Sequence, residues 1–213
     1  MATFERSYYV SVDSVYQMIS VATSIVGAVG GLSAFITYKK NQALKRQEIL
    51  FPLINEFESK MNIIYAKKPV DQIPIQLENQ NGEILGNYEK KHMEFLTSSN
   101  QSDKNVIAIK LIFDTYLNFF GKLGYLIDTH ILTKHDVRYF DYYIMNARND
   151  FNIMYYAVWA RYDLFLVLLD KAGYIGDVWM GPIGGDIEAA TQLTSIMISN
   201  LKSYYKRTRR KFL

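Results

Sequence analysis

Apolar residues fall in three arrangements along the chain. From Ser14 to Tyr38 they are nearly continuous and no formal charge interrupts them. From Leu44 to Ile64, and again beyond Lys104, they recur at the i, i+3, i+4, i+7 spacing of a helix face. Between Ala66 and Asp103 that periodicity lapses.

The run from Ser14 to Tyr38 predicts a transmembrane helix. At 1.5 Å per residue it is about 37 Å long, enough to cross a ~30 Å hydrocarbon core with some tilt. Asp13 or Ser14 supplies an N-cap oxygen, and Tyr16 and Tyr38 sit where amphipathic rings suit the two interfaces. A cleaved signal peptide needs a basic leading region, whereas residues 1–14 hold Glu5, Arg6 and Asp13. A buried helix of a soluble domain rarely runs so far without a charge. Lys39, Lys40, Lys45 and Arg46 follow the run, against Arg6 before it. The positive-inside rule therefore predicts residues 1–13 outside a bacterial inner membrane and the remainder in the cytoplasm. Gly27 and Gly31 form a small-xxx-small pair, with Ser24 and Ala34 beside them. That is either a packing face for a homo-oligomer or the ordinary glycine content of membrane helices. One such helix encloses no pore by itself.

Residues 39–66 predict a juxtamembrane helix with Leu44, Ile49, Leu53, Phe57, Met61 and Ile64 on one stripe. Pro52 lacks a backbone donor and is expected to kink or split it. Residues 67–103 predict an irregular insert. It contains Pro69 and Pro74, an Asn81-Gly82 turn signal that suits a small hairpin, a short helix over NYEKKHMEFL, and a polar connector with Ser102 or Asp103 as the next N-cap. Residues 104–213 predict a helical bundle. Its core helix carries Ile109, Ile112, Phe113, Tyr116, Phe119, Phe120, Leu123 and Leu126, with Lys110, Asp114, Asn118 and Lys122 as a narrow polar line. Thr133 caps a helix over KHDVRYFDYYIMNA. One long helix over NDFNIMYYAVWARYDLFLVLLDKAG stops at Gly173, and Asp186 caps the last helix. The fold class is all-α: one N-terminal transmembrane helix followed by a cytosolic bundle of about five helices.

Charge and composition narrow the chemistry. Net charge is +3, yet the last eight residues, KRTRRKFL, carry five cations, so the rest sums to −2. This is a nearly neutral body with a basic tail, unlike a uniformly basic nucleic-acid binder. There is no cysteine, which excludes disulfides, thiolate metal sites and cysteine nucleophiles. His92, His130 and His135 lack metal-ligand spacing, and no G-x-S-x-G, Walker or kinase signature occurs. No catalytic residue, metal or cofactor is therefore expected. Asp163 and Asp170 share one face of the predicted helix and read as solvated charge. Glycines in the GPIGGDIEAA loop could present N–H groups to an anion, but Asp186 occupies that helix start and the loop reads as a connector.

Two features keep more than one reading. Arg161 falls on the apolar stripe of Met154, Ala157, Val158, Leu164, Phe165 and Leu168. A buried guanidinium needs a partner, so the expectation is a buried pair with Asp114, a subunit interface, or a contact to an anionic ligand. The tail residues Lys206, Arg207, Arg209, Arg210 and Lys211 suit anionic lipid headgroups, a solvated end, or a phosphodiester ligand. The chain has 17 tyrosines, with Tyr139, Tyr142, Tyr143, Tyr155, Tyr156 and Tyr162 crowded together. They read as core or protein interface, with nucleobase stacking as the rival.

Glu48 to Phe57, the helical stretch EILFPLINEF, and the Leu117, Asn118, Phe119, Phe120 stretch carry a resemblance. With the basic stop at Lys39 and the tyrosine-rich region, the chain resembles a group of small bacterial single-pass membrane proteins. Gly121 departs from that pattern, which carries an acidic residue there. The resemblance implies the architecture and no chemistry. Two functions are expected from it and from the residues. One is a non-enzymatic oligomer that holds a cytosolic partner-binding module at the membrane. The alternative is a membrane-disrupting effector of phage defence, gated by an anionic signal such as a cyclic nucleotide.

Overall fold

The computed structural model describes the backbone of residues 12–71, 73, 75–78, 84–88, 96, 104–175 and 187–209. Side chains are described for these residues except 12–29, 70, 75, 77–78, 84–88 and 209. The fold is helical apart from one hairpin. Helix α1 spans Val12–Ser59 and α2 spans Met61–Val70. Strands β1 (Ile75–Glu78) and β2 (Ile84–Tyr88) follow, then α3 (Lys104–Asp128), a 3-10 turn (Asp136–Phe140), α4 (Asp141–Asn149), α5 (Phe151–Trp159), α6 (Asp163–Lys171) and α7 (Ile187–Arg209).

The chain divides into two units, residues 1–48 and 49–213. In the first, Leu32, Phe35, Ile36 and Tyr38 are 55–61% exposed. Gly30 and Gly31 have open space around them. Local contacts are polar: Gln42 donates to the Tyr38 hydroxyl at 2.8 Å, and the Lys39 ammonium lies 5.5 Å from the Phe35 ring centre. Among the described side chains, no helix is long and apolar enough to cross a membrane. Most of the predicted span, residues 14–29, lies outside them, as do the side chains of Ser24 and Gly27.

The second unit is built around α3. Its Val106, Ile109, Ile112, Phe113, Tyr116, Leu117, Phe119, Phe120, Leu123 and Ile127 are buried, while Asn118 and Lys122 on the polar line are exposed. Phe57 of α1 is fully buried among the rings of Tyr116, Phe119, Phe120, Phe140 and Tyr143, at centroid distances of 5.0–6.5 Å. Such offset and edge-to-face pairs add to the area they bury. Helix α6 contributes Phe165, Leu166, Val167, Leu168 and Leu169 to the core. It lies close to α3 because Gly121 and Gly124 present no side chain to it. A Cβ on Gly121 would sit 3.5 Å from the Leu164 Cβ, an ordinary contact, whereas one on Gly124 would sit 1.9 Å from the Leu164 carbonyl oxygen. An acidic side chain at position 121 would thus be buried against α6.

Several expected boundaries move. Helix α1 continues through Pro52, which is exposed, so the carbonyl its ring leaves without a donor can bond water. The break falls at Lys60, whose extended backbone (φ −74°, ψ 117°) starts α2, and α2 runs past Ala66 to Val70. The expected hairpin is present, antiparallel, with a bulge where Leu77 pairs with Gly86 but Glu78 with Ile84. Asn87 and Tyr88 belong to β2, not to a helix. The rest of NYEKKHMEFL, apart from Leu96, lies outside the described residues, as do Asn81, Gly82, Ser102, Asp103 and Asp186. Thr133 does not cap a helix: its N–H and hydroxyl both donate to Asp136 at 2.7 Å, and the segment begins as a 3-10 turn after His135.

The largest difference concerns residues 149–173, which form two helices. Asp150 caps α5 by accepting from the N–H groups of Asn152 and Ile153 at 3.0 and 3.1 Å. The chain then turns at Arg161, whose φ is +64°.

Candidate functional site

The corner between α5 and α6 has the geometry of a Schellman helix end. The N–H of Tyr162 reaches back to the Ala157 carbonyl at 2.9 Å, and Arg161 takes the left-handed position between them. Glycine usually fills that position. Gly173 (φ +81°) does so at the end of α6, with the Tyr174 N–H bonded to Leu169 O at 2.8 Å. At the end of α3 the position holds His130 (φ 59°), with the Ile131 N–H bonded to Leu126 O at 2.9 Å. A long side chain in this conformation is sterically disfavoured. The orphan carbonyl of Val158 at the same corner accepts from Asn200 Nδ2 of α7 at 3.1 Å, which accounts for the burial of that amide.

The turn corrects the expectation for Arg161. It is not buried and does not meet Asp114. Its side chain is 49% exposed and folds onto Asp163 through a two-pronged contact, Nε to Oδ1 and Nη2 to Oδ2, both 3.1 Å. The hydrogen bonds to Asp163 push the Arg161 pKa further up. Arg207 of α7 donates through Nη2 to the same Asp163 Oδ2 at 2.7 Å. Asp163 is only 14% exposed and therefore joins two candidates that the sequence kept apart, Arg161 and the basic tail. It is not a solvated charge.

Below this corner lies a groove of about 870 Å³. Leu53, Leu126, Leu164 and Phe165 give it apolar walls, Tyr125 and Tyr162 add rings, and Lys122 stands among its lining with Arg161 and Asp163. Lys122 pairs with Glu56 at 2.6 Å, and Lys60 meets the same carboxylate oxygen at 3.5 Å.

Of the crowded tyrosines, Tyr139 and Tyr142 are exposed and Tyr143, Tyr155, Tyr156 and Tyr162 are half-buried, and several tyrosine hydroxyls of the fold reach carboxylates. Tyr156 donates to Asp114 at 2.5 Å, and Tyr162 donates to the same oxygen. Tyr174 donates to Asp141, Tyr204 to Asp128 at 3.2 Å, and Tyr205 to Asp170 at 2.6 Å. Burial, then the adjoining carboxylate, raises each of these phenols: Tyr204 reaches about 12, and Tyr156, Tyr162, Tyr174 and Tyr205 go higher. Asp114 is thus the acceptor for two phenols on the α5–α6 corner. Sequence periodicity gave no sign of these pairs, since each joins residues far apart in the chain.

Of the other candidates, Gly31 and Ala34 are exposed, and Lys206 is exposed on α7. The Arg209 side chain, Arg210 and Lys211 lie outside the described residues, as does the GPIGGD loop. His130 and His135 are exposed and His92 is outside. Among the described residues no group of three or more His, Cys, Asp or Glu could hold a metal. Compared with known protein families, curated proteins and solved structures, the chain matches none.

Proposed function

We propose that this chain is a membrane-anchored, non-enzymatic oligomeric protein whose helical module, residues 49–213, binds a partner at the cytoplasmic face of a bacterial inner membrane. The observation that carries the reading is the uncovered apolar surface of Leu32, Phe35, Ile36 and Tyr38. These side chains end an uncharged run and are followed by the exposed Lys39, Lys40 and Lys45. Apolar surface of that kind calls for lipid or another copy to cover it, and the cations after it suit the headgroup layer. Gly30 and Gly31, open on their outer side, leave room for a second helix to approach. The resemblance to small single-pass membrane proteins fits the same architecture.

The test is the protomer count of the detergent-solubilised full chain by light scattering. The parent chain is expected as a defined oligomer, and Gly27→Leu/Gly31→Leu as a smaller species. An unchanged count in the double variant would remove the assembly role from this helix.

A further inference from the structure

We propose that the groove below the α5–α6 corner binds a soluble organic anion, an acidic group on a flat apolar body. The site lies wholly within residues 49–213 and does not rest on the membrane reading. Its volume, about 870 Å³, falls within the ~300–1,000 Å³ typical of small-molecule sites. The apolar body has its place against Leu53, Leu126, Leu164 and Phe165, with Tyr125, half exposed, as a ring to stack on.

The charge balance selects an anion. Two cations, Lys122 and Arg161, line the groove beside one carboxylate, Asp163, and Arg207 reaches that carboxylate from α7. The lining thus carries one positive charge in excess. The donors are also underused. A guanidinium offers five N–H groups. Among the described residues, Arg161 gives two hydrogen bonds to Asp163 and Arg207 gives one. Asp163 thus holds two forks that match a phosphate or carboxylate. The backbone adds a separate observation. Arg161 keeps a conformation that favours glycine, at a helix end that lines the groove. Strain of this kind concentrates at ligand sites. In the bound state the ligand's acidic group takes donors of Arg161 and Arg207 alongside Asp163 or in its place.

The test is calorimetric titration of the detergent-solubilised full chain at low salt with naphthyl phosphate, the uncharged naphthol and inorganic phosphate. Naphthyl phosphate is expected to bind one to one. Naphthol and inorganic phosphate should each bind at least about tenfold more weakly, because each lacks half of the recognised chemistry. Arg207→Ala, at an exposed position, and Arg161→Gly, which suits the left-handed backbone, should each weaken naphthyl phosphate about tenfold. Asp163→Asn removes the competing carboxylate and should tighten binding. Circular dichroism confirms that each variant is folded. A purely structural ion pair predicts the opposite: no binding, or binding that none of the three substitutions changes. Equal affinity for naphthol, or for inorganic phosphate, would also overturn the proposal. Arg207→Ala alone decides the matter should Asp163→Asn fail to fold.

Discussion

Gly124 is the position where one methyl group should do most damage. The Cβ of Gly124→Ala would lie 1.9 Å from the Leu164 carbonyl oxygen, 3.0 Å from its carbonyl carbon and 3.2 Å from the Leu168 nitrogen. Ordinary contact with that oxygen needs about 3.4 Å, so α6 would have to retreat by about 1.5 Å. The neighbour is backbone, and α6 is pinned by Phe165 to Leu169, all fully buried. No side chain can swing aside. A gap of only 0.5–1 Å forfeits about a quarter to a half of each contact's dispersion attraction. Overpacking typically costs about 1–3 kcal/mol, and a clash with a rigid helix belongs at or above the top of that range. The expected loss is therefore about 3 kcal/mol or more, a fall of roughly 6–12 °C in Tm for a chain of this size. Gly121→Ala is the matched control. Its Cβ meets the Leu164 Cβ at 3.5 Å and the Phe165 nitrogen at 4.0 Å, both ordinary contacts, so helix propensity should leave it neutral or up to about 1 kcal/mol more stable. The assay is thermal unfolding followed by near-ultraviolet circular dichroism, which reads the packed tyrosines. A Gly124→Ala midpoint within about 2 °C of the parent, or a lower midpoint for Gly121→Ala, would show that α3 and α6 do not pack this closely.

Other outcomes follow from the same contacts. Asp114→Ala strips the acceptor from Tyr156 and Tyr162, both half-buried, and should destabilise by about 2 kcal/mol. A double-mutant cycle with Tyr162→Phe should show coupling of about 1 kcal/mol, and additivity would deny the bond. The raised phenols set an alkaline limit. An unfolded tyrosine ionises near pH 10, while Tyr204 stays protonated to about 12 and the half-buried Tyr156, Tyr162 and Tyr205 beyond. The tyrosine contribution to stability should be constant below about pH 10 and be lost as pH rises above it, because only the unfolded state then releases those protons. Tyrosinate absorbance rising well ahead of helix loss would contradict this. Arg161→Gly should unfold no earlier than the parent: relief of the left-handed backbone is worth about 1 kcal/mol, and an exposed ion pair contributes about 0–1 kcal/mol. A clear drop in its urea midpoint would assign the ion pair a structural weight that its exposure argues against.

Much of the helical frame was legible from periodicity. The α3 stripe, its polar line through Asn118 and Lys122, the stop at Gly173 and the start of α7 near Ile187 all follow from spacing and a C-terminal glycine. The hairpin was marked by its Asn81-Gly82 signal. What escaped was the break at Arg161. Arg161 occupies a left-handed position with no residue-type warning, so residues 149–173 read as one helix and Arg161 as buried. Conversely, Pro52 read as a break and was carried through, because an exposed carbonyl can turn to water. Pairing across the fold was also hidden. Asp163 joins Arg161 to Arg207, and Asp114 joins two tyrosines, only after α3, α6 and α7 pack. Gly124 differs from Gly121 only in what faces it.

The most direct test of the membrane reading uses the absence of cysteine in the chain. Ser7→Cys and Ser203→Cys, made singly, place one thiol before the uncharged run and one on the exposed face of α7. Intact spheroplasts are treated with a membrane-impermeant maleimide, then lysed and treated again. Labelling of Ser7→Cys before lysis and of Ser203→Cys only after it, with both chains retained in the carbonate-washed membrane pellet, is the predicted result. Labelling of both only after lysis, with the chain released into the carbonate supernatant, would contradict a membrane-spanning helix at Ser14 to Tyr38.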